Sequence, residues 1–405
     1  MKFKKLTIEQ WKQFEKLDID FHDQLTVLTG ANGAGKTTVL NLLARHFGWN
    51  SIELATPAKD KESGFIKFFT RFFKNPIEST DNKIGELTYD QGTKANLQIP
   101  NSDAAQYNIS IQPQQPVAGF NIPSHRPTFH YQPVQQLSLA KRNKQQAFQL
   151  VSNSSKNRIV GGGDKPSNYY IKETLLTWNI FGYGNPEMEP DPEYMGYYQD
   201  FQEVLRKILP DSLGFQNFSA RKSEIVMVTS TGEYMLDGCS GGISALVDLS
   251  WQIYMFGAQG NESFTILIDE IENHLHATMQ RAILPDLISA FPNVQFIVST
   301  HSPLIIGSVK DSNVYALRYN EERKIVSEFL DLENKAKNAT EILNEVLGVS
   351  FTMPIWVETT LNDIVKKHSE TEMNENSFDS MRNELKEVGL EELMPLALKD
   401  ILKKN

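Results

Sequence analysis

The chain has 405 residues, of which 40% are hydrophobic and 22% charged, and a formal net charge of −10. That length supports a large core, in one big α/β domain with insertions or in two domains, and the acidic balance excludes a surface coated in basic residues for wrapping nucleic acid. The single cysteine, Cys239, excludes an intrachain disulfide, and no apolar run reaches the ~18 residues of a membrane span, so a cytoplasmic chain is expected.

Residues 3–8 and 17–21 alternate apolar and polar side chains as half-buried strands do, and residues 25–29 form a continuous apolar, β-branched run suited to a buried parallel strand. Residues 30–38 then read Gly-Ala-Asn-Gly-Ala-Gly-Lys-Thr-Thr, which satisfies G-x-x-x-x-G-K-[ST]. Val39, Leu40, Leu42, Leu43 and Phe47 follow at helical spacing. In this strand–loop–helix order, Gly30, Gly33 and Gly35 let successive N–H groups face one anion, and the helix start adds its positive dipole end. Lys36 reaches the β- and γ-phosphates, and the Thr37 hydroxyl binds Mg²⁺. The expected ligand is a nucleoside triphosphate. Trp11 and Phe14, between the first two strands, belong to the core or put a ring near the base.

Residues 51–82 carry prolines, glycine and clustered charge and read as an insertion. Within it, Phe65, Phe68, Phe69 and Phe72 have helical spacing with Lys67, Arg71 and Lys74 opposite. Such a basic amphipathic helix packs on its own domain, or meets a membrane surface or a nucleic acid. Residues 84–122 alternate between turn residues, as antiparallel strands completing an N-terminal lobe would. Residues 121–134 are a proline-bounded extended segment holding Gln132, a candidate for contact with Mg²⁺ and the attacking water, with Gln114 and Gln115 as competitors.

Residues 135–215 are the least regular, with a basic run of Lys141, Arg142, Lys144, Lys156, Arg158 and Lys165. This is either a grip for a phosphate backbone or a solvated helical arm. A hairpin is expected over residues 225–236, then Cys239-Ser240-Gly241-Gly242 before a helix at about 243–256, where free N–H groups and a hydroxyl can meet an anion. Residues 264–272, FTILIDEIE, form an apolar strand ending in paired carboxylates. Asp269 is placed to hold Mg²⁺ and Glu270 to orient or deprotonate water. His274 and His276 read as loop residues rather than metal ligands. Another buried strand, 295–299, runs into Thr300-His301-Ser302-Pro303, where His301 can bond a γ-phosphate. A hairpin over 314–329 and helices at 339–347, 355–367, 377–388 and 390–403 complete the chain.

GANGAGKTT, CSGG, ILIDEIENHLH and STHSP, in that order, resemble the ATP-binding-cassette superfamily, in particular its branch of RecF, SMC-type heads and overcoming-lysogenization ATPases. The resemblance covers roughly residues 1–48 and 225–320, with Ala277 where proline is usual, Cys239 where leucine is usual, and neither glutamine nor glutamate after the signature glycines. It implies an ABC-type P-loop ATPase head, a parallel core sheet plus an antiparallel N-terminal β unit, with a helical insertion and a helical tail. The corresponding divisions are an N-terminal lobe at 1–134, an arm at 135–224, a C-terminal lobe at 225–330 and a tail at 331–405.

The same resemblance implies that Asn32, Gly33, Ala34, Gly35, Lys36, Thr37 and Thr38 hold the phosphates and Mg²⁺, with Asp269 on the metal. Glu270 is then the catalytic base and His301 the switch histidine. Ser240, Gly241 and Gly242 form a signature loop that meets the ATP of a second copy, giving an ATP-dependent homodimer. With neither a long coiled coil nor a following nuclease domain, the chain is similar to ATPase subunits of bacterial antiphage systems of the Septu, PARIS and retron-associated types. These imply a partner nuclease or toxin encoded nearby and no membrane. The alternative is a RecF-type ATPase that binds DNA; a transporter energiser fits least.

Overall fold

The computed structural model describes residues 1–59, 65–69, 82–100, 104–126, 128–138, 142–159, 165–257, 263–331, 355–369, 375–395 and 397–398. Two compact units divide the chain, Met1–Ala339 and Thr340–Asn405. The first is built on an eleven-stranded sheet.

In chain order its strands are β1 (Phe3–Trp11), β2 (Phe14–Asp20), β3 (Leu25–Gly30), β4 (Lys83–Tyr89), β5 (Lys94–Gln98), β6 (Ser110–Gln112), β7 (Gly119–Ile122), β8 (Thr265–Ile268), β9 (Gln295–Ser299), β10 (Asn313–Tyr319) and β11 (Ile325–Phe329). Their spatial order is β6-β5-β4-β1-β2-β11-β10-β3-β9-β8-β7. From β10 to β7 the five neighbours run parallel. From β6 to β2 they run antiparallel.

The parallel strands are buried on both faces, so β3, β8 and β9 are buried at every position, as continuous apolar runs require. Strands β1 and β2 show mixed burial patterns, matching their alternation. Helix α1 (Lys36–Ala44) packs on β3, β8 and β9 through Val39, Leu40, Leu42 and Leu43. Five parallel strands and the helix after the glycine loop bear out the α/β reading.

Several expectations are corrected. Ile66–Phe69 is a strand paired antiparallel with Thr56–Lys59, not the first part of an amphipathic helix; Ile and Phe favour a pleated surface, and the segment at 56–59 supplies the partner strand. Residues 70–74 of that expected helix lie outside the described residues. Strand β7 is not antiparallel like its predecessors: it pairs parallel with β8, with Asn121 opposite Leu267. The hairpin at 225–236 begins earlier, as a three-stranded sheet of Phe215–Arg221, Glu224–Thr229 and Gly232–Met235, so a division at 224/225 cuts through it.

The arm contains α2 (Lys144–Ile159), α3 (Ser167–Tyr183) and α4 (Pro192–Ile208), packed with α5 (Gly241–Gly257). Its aromatic centre stacks Trp178 on Trp251 at 5.5 Å, with Phe201 edge-on to Trp251 at 5.0 Å. Asp191 caps α4 by accepting from the N–H groups of Glu193 and Tyr194. Helix α6 (Ala277–Ala290) follows β8.

The second unit holds α7 (Ile355–Ser369) and α8 (Glu375–Glu387), which share a core of Leu361, Val365, Met381 and Leu385. The expected helix at 339–347 lies outside the described residues. Of the helix expected at 390–403, a short 3-10 turn, Glu391–Leu393, and helical residues 394–395 and 397–398 are described, and the remainder lies outside the described residues. Among the described residues no helix is long and apolar enough to cross a membrane.

Candidate active site

Strand β3 ends at Gly30 with φ +138°, where an added Cβ would lie 2.3 Å from the Leu317 carbonyl oxygen of β10. Only glycine lets the chain turn there against its neighbour. Gly35, at φ +86°, is the residue before α1, and no side chain caps that helix start. The α1 N-terminus is therefore left to an anion. Ala34 is buried beneath the loop, while Asn32 and Gly33 are exposed. Tyr319 donates its hydroxyl to the Gly33 carbonyl at 3.2 Å, tying β10 to the loop. A cavity of about 230 Å³ beside it is lined by Lys12, Phe14, Gly35, Thr38, Leu54 and Ile325. Trp11 and Phe14 are both buried in the core, stacked at 5.8 Å, with Trp11 donating to the Tyr107 hydroxyl and Phe14 also bordering this cavity.

Lys36 folds back on the loop, donating to the Gly30 carbonyl at 2.9 Å and the Ala31 carbonyl at 3.1 Å. Burial pulls its pKa down to about 8, against the opposing charges of Asp269, Glu270 and Glu272. Thr37 donates its hydroxyl to Asp269 Oδ2 at 2.9 Å. Ser299, at the end of β9, donates to Asp269 Oδ1 at 2.5 Å and accepts the Glu270 N–H at 2.8 Å. One serine hydroxyl thus fixes both carboxylate residues, although the STHSP motif that it opens drew attention to His301 and not to it. Only the parallel register of β8 with β9, Ile268 opposite Val298, puts it there.

Glu270 has φ +46°, a left-handed conformation that costs a non-glycine residue about 1–3 kcal/mol. Its carboxylate accepts from Asn273 Nδ2 at 2.9 Å, and its carbonyl from Arg126 Nη2 at 2.7 Å. Glu270, Asp269 and Thr37 face a cleft of about 1340 Å³ that reaches past Ser124 and His125 to Lys156.

His301 follows β9, and its backbone N–H donates to Glu272 Oε1 at 2.5 Å. Burial lowers its pKa, and the Lys36 charge adds to that effect. Of the two histidines read as loop residues, His274 also lines this cleft and bonds the Arg126 carbonyl, and His276 bonds the Thr278 hydroxyl.

Not every candidate is brought together. Gln132 lies away from the cleft lining, and its backbone N–H donates to Asp237. Positions at the C-terminal end of β7, Asn121 and Ser124, line the cleft instead. Ser240, Gly241 and Gly242 are not among the residues that line this cleft. Ser240 is exposed at the start of α5, and Gly242 rests against Met279 and the His274 carbonyl.

The described side chains of the basic run at 141–165 each have a partner within the protein. Arg142 donates to Glu173 and Thr174, both at 3.0 Å. Lys144 sits over the rings of Tyr197 and Tyr254 at 4.4 and 4.0 Å, Lys156 over Trp49, and Lys165 over Tyr169. Lys141 and the Arg158 side chain lie outside what is described.

The residues fit a magnesium nucleotide. Left-handed glycines form a cradle that a Cβ would fill, and a hydroxyl and a carboxylate 2.9 Å apart offer hard oxygen ligands. Mg²⁺ typically takes one or two such protein ligands, with phosphates and waters completing its shell. Among the described residues no group of three or more His, Cys, Asp or Glu side chains gathers to hold a metal unaided.

Comparison with known proteins agrees with this geometry. Residues 5–174 match an AAA domain model, and residues 246–307 match a second one, described as an AAA domain of the AbiEii toxin and type IV toxin–antitoxin class. The chain is 22% identical to the Septu protein PtuA of Bacillus thuringiensis over 93% of its own length and 91% of that protein. It is 26% identical to the Septu protein PtuA of Bacillus mycoides over 53% of its length and 28% of that protein. A 59-residue stretch is 42% identical to the Retron Ec83 probable ATPase of Escherichia coli, over 15% of this chain and 11% of that one. The chain thus spans under a third of the length of two of these relatives and nearly all of the other. The chain has a P-loop ATPase fold with two stretches that match AAA domain models, and it is similar to the Septu protein PtuA and, over a short stretch, to a retron probable ATPase.

Proposed function

We propose that the chain binds ATP with Mg²⁺ and hydrolyses it, that two copies close around the nucleotide, and that this cycle makes it the sensor and regulatory subunit of an antiphage complex. The observation that carries the proposal is the chain of contacts Thr37–Asp269–Ser299–Glu270 at the C-terminal ends of adjacent parallel strands. Such strand ends are where α/β sheets bind ligands.

In this reading the N–H groups of residues 32–38 and the Lys36 ammonium hold the phosphates, while Thr37 and Asp269 hold Mg²⁺. The metal, when bound, offsets charge developing on the phosphate oxygens. Glu270 accepts a proton from the attacking water, and Asn273 holds its carboxylate. His301, kept neutral by burial beside Lys36, donates to the γ-phosphate. Ser240, Gly241 and Gly242, exposed or half-exposed and not among the residues that line their own cleft, meet the nucleotide of the second copy. The relatives named for Septu and retron systems support a separate effector, a nuclease or a toxin, as the output.

Gel filtration and nucleotide binding of two variants test this. Lys36→Ala should abolish ATP binding and remain monomeric. Glu270→Gln should bind ATP, lose roughly 10²–10⁴-fold in turnover, and elute as an ATP-dependent dimer. Wild-type turnover by Glu270→Gln would refute the base assignment, and a monomer under all nucleotide conditions would refute the dimer. Co-purification with the product of a neighbouring gene tests the regulatory role.

A further inference from the structure

Glu270 faces two demands: its carboxylate must point into the cleft, and its backbone must stay at φ +46°, where few non-glycine residues rest. Ser299 holds its N–H. Its carbonyl is held from a part of the chain 144 residues away. Arg126, in the segment after β7, places Nη2 2.7 Å from the Glu270 carbonyl and 3.2 Å from that of Ile271. The guanidinium is buried, with Arg126 only 7% exposed, and it faces the charges of Asp248, Glu272, Asp269 and Glu270.

Two more contacts join the same segments. Asn273 Nδ2 divides between the Ser124 carbonyl at 3.0 Å and Glu270 Oε2 at 2.9 Å, and His274 Nε2 lies 3.2 Å from the Arg126 carbonyl. A buried cation spent on main-chain carbonyls beneath a carboxylate turn is a strong, directional fixture.

We propose that Arg126 is the positioning residue for Glu270. It holds the carbonyl side of the left-handed turn, so that the carboxylate is aimed into the cleft before nucleotide arrives. Its effect passes through the Glu270 backbone, and its removal acts on turnover rather than on nucleotide affinity. This inference rests on the reading of Glu270 as general base.

The test compares Arg126→Lys, Glu270→Gln and the double variant in steady-state ATP hydrolysis, with ATP binding and thermal melting measured on each. Arg126→Lys keeps the charge but not the planar fork. It should lower kcat by about ten- to a hundredfold, since small misplacement of a catalytic group costs that much, and leave KM and Kd for ATP within about twofold. The double variant should turn over no more slowly than Glu270→Gln alone, because residues acting as a unit are not additive. Asn273→Ala, a half-buried change from the other side of the turn, should show the same non-additivity and serves if Arg126→Lys does not fold.

A fall in kcat matched by an equal loss of ATP affinity would overturn the inference, as would additive losses in the double variant. If Glu270→Gln is inactive while Arg126→Lys and Asn273→Ala are both wild-type, only the positioning role fails. If Glu270→Gln is fully active, the base assignment itself fails.

Discussion

The phosphate-loop centre and the helical arm both bury lysine, and they use it in opposite ways. In the centre, Lys36 is desolvated, sits on two backbone carbonyls, and has carboxylates near but not in contact, so its charge is held for a ligand. In the arm, Lys172 is fully buried but bonds Glu224 Oε2 at 2.8 Å and Asp237 Oδ2 at 2.5 Å. Asp237 also accepts from Asn168 and from the Gln132 N–H. The arm spends its charges on itself, and the centre leaves them available. Burial alone therefore does not mark a functional cation; what marks it is burial without an ion-pair partner.

Substituting each lysine by methionine should separate the two regions. Lys172→Met leaves Asp237 and Glu224 without their cation, and should cost about 3–5 kcal/mol of stability, measured by denaturant or thermal unfolding. ATP binding per folded molecule should be unchanged. Lys36→Met should do the reverse, losing nucleotide binding while unfolding of the nucleotide-free protein shifts by less than about 1 kcal/mol. Equal melting losses in both would collapse the distinction.

A pH series sharpens it further. Lys36 has its pKa lowered to about 8 in the free protein, and a bound triphosphate raises it. Nucleotide binding therefore takes up a proton once pH exceeds about 8. Affinity should be full below that point and fall above it, approaching tenfold per pH unit, as read by calorimetric titration in buffers of different ionisation enthalpy. A flat profile to pH 9.5 in the wild type would mean that burial does not lower the Lys36 pKa as far as about 8; the ligand role itself is tested by the loss of binding in Lys36→Met.

The smallest effect belongs to the arm surface. Lys165→Ala removes a mostly exposed cation–π contact with Tyr169 and should change stability by at most about 1 kcal/mol. Retention on a DNA column should not change with it. Loss of such retention would revive the reading of this run as a phosphate-backbone grip.

Much of the centre was legible because its chemistry is local. The spacing of Gly30, Gly35 and Lys36 dictates a loop, a turn and a helix start, and an apolar strand ending in Asp269 and Glu270 can do little else after it. What escaped depended on contacts far apart in sequence. Arg126 carries no motif and Ser299 is only the first letter of STHSP, with no role read for it; both reach Glu270 only through the pairing of β9 and β7 with β8. The surroundings of the basic run were illegible for a related reason: its composition says that positive charge is present, but Glu173, Tyr197 and Tyr254, which meet Arg142 and Lys144, come from helices later in the chain. Ile66–Phe69 was misread because four residues of Phe-rich sequence fit a helix face or a strand equally well until a partner strand is known.

Strand β3, which delivers the phosphate loop, borders β9 and β10, more than 260 residues later in the sequence. During synthesis, both of its edges remain without their native partners until three-quarters of the chain has left the ribosome. Non-local pairing of this kind is slow and leaves unpaired strand edges that invite aggregation. The nascent first third of the chain is thus the stage at which a chaperone would be needed most, and a fragment ending before β9 would lack both neighbours of its central strand.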